Sequence, residues 1–303
     1  IISTEPFYAY IKIAEGCSNN CTYCAIPSIR GKYRSRRMED IVKEARWLAE
    51  NGVTELVVVA QDTTRYGEDI YGKSMLPELL TALCEIDGFK WIRTLYCYPE
   101  RITDELLDVI AKEDKLVKYL DMPIQHCNRN ILKRMNRHGD RETLTALIKK
   151  IREKIPNVTL RTTLITGFPG ETEEQFEELC EFVKEIRFER LGCFAYSPEE
   201  GTPAEKFEDQ VPLKDRERRA EIIMEEQMII SDSFNEAALD SEVEVVCEGF
   251  DRYAECYYGR SQADAPEIDG KIFFLSEDKV RVGEYVKVKI DDTMDYDLIG
   301  SKM

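Results

Sequence analysis

The chain has 303 residues, 43% of them hydrophobic, enough for a full core and for more than one domain. A formal net charge of −17 disfavours nucleic acid as a direct substrate and suits a basic partner. No apolar run approaches the ~20 residues that span a bilayer, so no membrane anchor is expected. No signal-peptide pattern opens the chain, and its ten cysteines therefore read as reduced thiols in a cytoplasmic setting. Because Ile1 falls almost directly on the first predicted strand, the sequence reads as a fragment whose N-terminal part is missing.

In chain order, the alternating β-branched and aromatic run 7–13 predicts a strand. It leads into Cys17-x3-Cys21-x2-Cys24, a loop that brings three thiolates within reach of one metal centre. Three cysteines cannot all pair as disulfides. A structural zinc site normally wants a fourth Cys or a His nearby, and the only histidines are His126 and His138. Three thiolates suit an iron–sulfur cubane better, because they leave one iron open to an outside ligand. Zinc stays open as the alternative. The other seven cysteines are scattered, with Cys84 and Cys180 on apolar helix faces. A basic run, 30–37, follows the loop; it reads as neutralising the cluster and an anionic ligand, or as a solvated loop.

A helix is expected over 38–50 and an apolar, parallel-type strand over 55–60. The cycle then repeats, with helix 76–86 and strand 91–97, helix 103–112 and strand 119–122, and helices 130–136 and 141–154. Strand 159–165, helix 172–186, strand 190–196 and a long helix 213–239 complete it. Six βα units predict an α/β fold, an open partial (βα)6 TIM-like barrel, because a closed barrel needs eight. The polar or glycine-rich stretches at 17–24, 61–66, 98–100, 123–126, 166–171 and 197–199 all fall at the C-terminal strand ends, where such folds bind ligands. Residues 1–239 are thus read as one domain. Residues 240–303 change character, with short alternating stretches at 242–247, 254–258, 271–275 and 284–290 divided by glycine turns. These predict a small all-β barrel of about five strands. It carries 16 Asp/Glu against 8 Lys/Arg, a net charge of −8 that repels phosphate.

The cysteine spacing, with Tyr23 before the last cysteine at the end of the first barrel strand, resembles the radical S-adenosylmethionine (SAM) superfamily. The string Cys24-Ala25-Ile26-Pro27 with Arg30-Gly31 and Ser35-Arg36 resembles its methylthiotransferase branch, and residues 240–303 resemble a TRAM domain. Asp121-Met122-Pro123-Ile124-Gln125-His126 and the string 259–270 resemble the members that modify an aspartate of a small-subunit ribosomal protein. The tRNA-modifying relatives usually carry Gln-Ser-Gly-Ser where this chain has Gln125-His126-Cys127-Asn128.

The resemblance implies a 4Fe-4S cluster on Cys17, Cys21 and Cys24, with SAM on the open iron. It implies a 5′-deoxyadenosyl radical that attacks an unactivated aspartate β-carbon, chemistry that only the cofactor can carry. It also implies a second 4Fe-4S cluster as sulfur source in an N-terminal domain absent here, and a basic ribosomal protein as partner; the electron donor stays unknown. SAM contacts are expected from Gln61, Asp62, Arg161, Thr163, Gly167 and Phe168, with Gly167 admitting a close backbone approach. Residues 167–170 also read as an ordinary strand-to-helix turn. Tyr23 shields the cluster or the adenine, or packs in the core, and Gln125 and His126 touch the cofactor or support it from behind. No catalytic acid or base is assigned. A tRNA methylthiotransferase and a non-catalytic, metal-stapled protein-binding module are the alternatives.

Overall fold

Six parallel strands frame the computed structural model, which describes residues 4–303. They are β1 (Tyr8–Lys12), β2 (Glu55–Val59), β3 (Trp91–Thr94), β4 (Tyr119–Asp121), β5 (Thr159–Thr166) and β6 (Arg190–Ala195). The connecting and flanking helices are α1 (Met38–Glu50), α2 (Leu76–Cys84), α3 (Asp104–Lys112), α4 (Arg141–Lys154), α5 (Glu173–Ile186) and α6 (Leu213–Ala237). Ladders run β1–β2–β3 and β4–β5–β6 in sequence order. Between β3 and β4 the sheet continues through Ile92 N–H to Lys115 O (2.7 Å) and Val117 N–H to Ile92 O (3.1 Å). Among the described residues no ladder joins β6 back to β1, so the barrel is open, as six units imply.

Side-chain oxygens set the helix starts. Thr103 accepts from Leu106 N–H, while Asp140 and Thr172 close capping boxes with Thr143 and Gln175. The expected helices 103–112 and 172–186 therefore each begin one residue later, because Thr103 and Thr172 are caps. The expected strand 91–97 stops at Thr94: Tyr96 takes a φ of 61°, which no strand accommodates.

Strand alternation divides the side chains between two faces. Ile11, Leu56, Val58, Ile92, Leu120, Leu160 and Leu164 face outward into one core with the helices. The concave face carries Tyr8, Val57, Trp91 and Tyr119, and with them the buried charges Glu55, Arg93 and Asp121. The 55–60 strand is thus not apolar throughout; Glu55 is completely buried.

The reason lies in the C-terminal barrel, which docks on that concave face. Its strands are β7 (Glu242–Asp251), β8 (Cys256–Arg260), β9 (Ile272–Leu275), β10 (Tyr285–Met294) and β11 (Asp297–Lys302), closed in the order β8-β9-β11-β10-β7. The four expected stretches are four of these strands; β11 carries no clean alternation and went unseen. The segment after β8 enters the concave face and is held there residue by residue. Tyr119 OH donates to Asp269 (2.7 Å), Arg190 to Asp264 (2.7 Å) and Arg93 to the Gln262 carbonyl (2.9 Å). Arg260 pairs with Glu55 (2.5 Å) and Glu248 (2.6 Å). The string 259–270 is therefore the plug that joins the two domains.

Candidate active site

Between β1 and α1, at the C-terminal rim, the cysteine loop is fixed from all sides by protein contacts. Gly16 (φ 79°) lies so close to the basic run that an added Cβ would sit 2.3 Å from Lys32 O. That approach lets Cys17 N–H donate to Gly31 O (3.1 Å), while Tyr33 N–H donates to Ser18 Oγ (3.1 Å). Asn19 Nδ2 donates to Asp62 (2.8 Å), and Asn136 Nδ2 reaches the carbonyls of Asn19 (3.1 Å) and Asn20 (3.0 Å). Thr22 donates through its backbone to Met135 O (3.1 Å) and through its hydroxyl to Arg134 O (2.7 Å). Such support holds a ligand set in place before anything binds.

Cys17, Cys21 and Cys24 line one cavity of about 350 Å³, with Asn20, Tyr23, Ile26, Pro27, Ala60, Gln61, Tyr96 and Tyr98. None of the three is in a disulfide. Burial pushes the Cys17 and Cys24 thiols up from their ordinary value. Among the described residues no three Cys, His, Asp or Glu side chains converge as the shell of a single ion. Three thiols that line one cavity suit a cubane, in which each binds a different iron. Gln61 Oε1 is buried here without a hydrogen-bond partner, an acceptor left for a ligand donor.

Of the nine residues expected at SAM, Tyr23 and Gln61 line this cavity. Asp62 is completely buried beneath the loop, bound to Asn19 and Thr64 (2.5 Å), and burial raises its carboxyl against those hydrogen bonds. It orients the loop. Arg161 does not reach the cysteines; it pairs with Asp121 (2.9 Å) and Asp269 (3.6 Å) on the concave face. Thr163 and Gln125 are half-buried and buried residues whose backbones pair β5 with the 123–126 stretch, Gln125 N–H to Thr163 O (2.9 Å). Gln125 also has a positive φ, 71°.

His126, Gly167 and Phe168, expected as SAM contacts, are buried beside this cavity and do not line it. His126 is fully buried, its Nε2 3.4 Å from Glu171, whose two oxygens accept from Gly167 N–H at 3.0 Å. Arg219 clamps the same carboxylate (2.8 Å). Phe168 is fully buried against Tyr196 and Phe207. Gly167 (φ 67°) is required by Arg216, whose Cγ would lie 2.4 Å from an added Cβ. Gly167→Ala should therefore cost about 2–4 kcal/mol, from left-handed backbone and overpacking together. Denaturant unfolding checks this, and a loss below about 1 kcal/mol would contradict it.

The sequence reading marks neither Tyr96 nor Arg137, and Tyr98 only as part of the 98–100 stretch. Tyr98 OH lies 3.0 Å from Cys21 Sγ, and the Arg137 guanidinium stacks 4.1 Å over the Tyr98 ring. Tyr96 lines the cavity directly. The aromatic pair at a strand's C-terminal end was a usable signal for Tyr96 and Tyr98. Arg137 arrives from a loop between helices, and nothing local in the sequence marks it.

An open parallel barrel with three unpaired thiols on one rim cavity defines the class: a radical SAM enzyme. The family description "Radical SAM superfamily" matches residues 11–183, and "TRAM domain" matches residues 241–302. Coproporphyrinogen III oxidase of Escherichia coli, a radical SAM enzyme, shares the fold at 21% identity and a TM-score of 0.53, over 77% of this chain and 54% of that one. The methyltransferase TsrM of Kitasatospora setae does so at 18% and 0.51, over 62% and 38%. Much nearer are ribosomal protein uS12 methylthiotransferases RimO. That of Clostridioides difficile is 53% identical over 99% of this chain and 67% of its own length. That of Clostridium tetani is 51% identical over the same shares. The chain belongs to the RimO family of radical SAM methylthiotransferases. It spans 67% of the length of those two relatives.

Proposed function

We propose that Cys17, Cys21 and Cys24 hold a 4Fe-4S cluster, that the adjoining cavity takes SAM, and that the enzyme methylthiolates an aspartate β-carbon of a basic small-subunit ribosomal protein. One observation carries the reading: three unpaired thiols line a single cavity at the C-terminal rim of a parallel barrel. When bound, the cluster and SAM supply the radical chemistry that removes an unactivated hydrogen, which no side chain could do near neutral pH. The chain's own residues bind, orient and shelter. Gln61 Oε1 offers an acceptor to a ligand amine or hydroxyl, and Tyr23, Ile26, Pro27 and Tyr98 exclude water from the cavity. The second cluster, the sulfur source, we place in the portion of the relatives that this chain does not span.

The partner's chemistry follows from charge. The uS12 named in the relatives is a ribosomal protein, and the acidic C-terminal barrel repels phosphate while attracting a basic polypeptide. No described helix is long and apolar enough to cross a membrane, which is compatible with a cytoplasmic enzyme. Binding of the reconstituted chain to uS12 and to tRNA, each across a salt series, tests the choice. Affinity for uS12 is expected to exceed that for tRNA; tight, strongly salt-dependent tRNA binding would favour the tRNA-modifying alternative instead.

A further inference from the structure

Tyr96 has an unusual set of properties. Its φ of 61° is a left-handed conformation that side chains other than Gly, Asn and Asp seldom adopt. Its side chain is 43% exposed, so its own packing does not account for the conformation, and it lines the cysteine cavity. Its peptide groups are held on both sides. Thr63 donates to Tyr96 O through its backbone and its hydroxyl, both at 3.1 Å. Tyr96 N–H donates to Asp121 Oδ2 (2.9 Å). The other oxygen of Asp121 accepts from Arg161 Nη1 (2.9 Å), and Arg161 Nε lies 3.6 Å from Asp269 of the C-terminal plug. Asp269 is fixed in turn by Tyr119 OH (2.7 Å) and by Ala265 N–H (2.8 Å).

We propose that Tyr96 is a ligand-facing wall of the cavity, and that the chain Asp269–Arg161–Asp121 holds its backbone in the strained form, so that docking of the C-terminal barrel sets the shape of the SAM site. The inference rests on the assignment of that cavity to SAM. Tyr96 acts by presenting an aromatic face to the cationic, adenine-bearing ligand. Asp121, Arg161 and Asp269 are positioning residues that touch no ligand. Backbone strain concentrated at a ligand site, with the surrounding structure maintaining it, is the physical pattern.

The test separates strain from packing. In the reconstituted full chain, thermal stability and SAM affinity are measured for the wild type and for Tyr96→Gly, Tyr96→Phe and Asp269→Asn. Glycine relieves the left-handed backbone, so Tyr96→Gly should unfold at the wild-type temperature or higher while binding SAM about tenfold more weakly. Tyr96→Phe keeps the ring and should bind within about threefold of wild type. Asp269→Asn should weaken SAM binding with iron content unchanged. If that variant does not fold, Arg161→Lys, which keeps the charge but not the fork, should weaken binding in the same way. Wild-type affinity in Tyr96→Gly, or stability and affinity falling together there, would overturn the inference. Wild-type affinity in Asp269→Asn and Arg161→Lys would overturn the coupling to the C-terminal barrel. A wild-type chain that binds no SAM would overturn the cavity's assignment and this inference with it.

Discussion

Glu55→Gln should lower the unfolding free energy by about 3–5 kcal/mol, the range for removing one partner from a buried ion pair. Glu55 is completely buried and serves two guanidiniums: Arg93 at 3.1 Å within its own domain, and Arg260 at 2.5 Å from the C-terminal barrel. Both arginines are themselves buried. The substitution keeps the side chain's shape and removes its charge. Arg93 then keeps the Gln262 carbonyl and its stacking over Tyr119, and Arg260 keeps Glu248 and its place over the Tyr8 ring. Arg93 is then left with an uncompensated charge in a medium that penalises it heavily, and Arg260 with one carboxylate instead of two. The cluster spans the domain boundary, so the loss should also show as faster proteolysis near residues 238–241, between α6 and β7. Glu248→Gln, at a less buried position, should cost clearly less. Denaturant unfolding measures both, and equal small losses below about 1 kcal/mol would mean that the barrel is held by its apolar contacts alone.

That network marks the limit of what the sequence conveys. Periodicity gave the helices because their apolar faces point into one core, and the expected spans for α1 and α4 match residue for residue. The strands were legible for a less secure reason. Their outward residues are apolar, but their concave residues include aromatic and charged side chains, and a single Glu or Arg in a strand does not announce a partner far along the chain. Glu55, Arg93, Arg161 and Arg190 find their full set of partners when the 259–270 segment arrives. The same holds at the site. Cys17, Cys21 and Cys24 were legible because one loop carries all three at ligand spacing. The glycine turn at Gly167 was legible as a turn but not in its cause, since Arg216 comes from a different element. His126 could not be placed from the sequence, because only the fold brings Glu171 against it. Backbone strain at Tyr96 has no sequence signature at all.

The largest functional effect is expected at the cysteines. Cys17→Ala, Cys21→Ala and Cys24→Ala should each reduce iron in the anaerobically reconstituted chain from about four atoms to a small fraction, with loss of the brown colour. Three thiolates are the protein ligand set proposed here, and removing one leaves a second iron with no protein ligand. The fold should survive the change. The loop is held by backbone and side-chain hydrogen bonds from Gly31, Ser18, Asn19, Thr22 and Asn136, none of which uses a cysteine sulfur. Cys21 contributes one sulfur contact, to Tyr98, so its replacement should cost slightly more than that of half-buried Cys24. Unfolding of the metal-free variants should therefore stay within about 1–2 kcal/mol of the metal-free wild type. Iron content falling while metal-free stability holds is the signature of a ligand. Stoichiometric zinc in the wild type, or a cluster that persists after all three changes, would instead favour the metal-stapled binding module and remove the basis for radical chemistry at this rim.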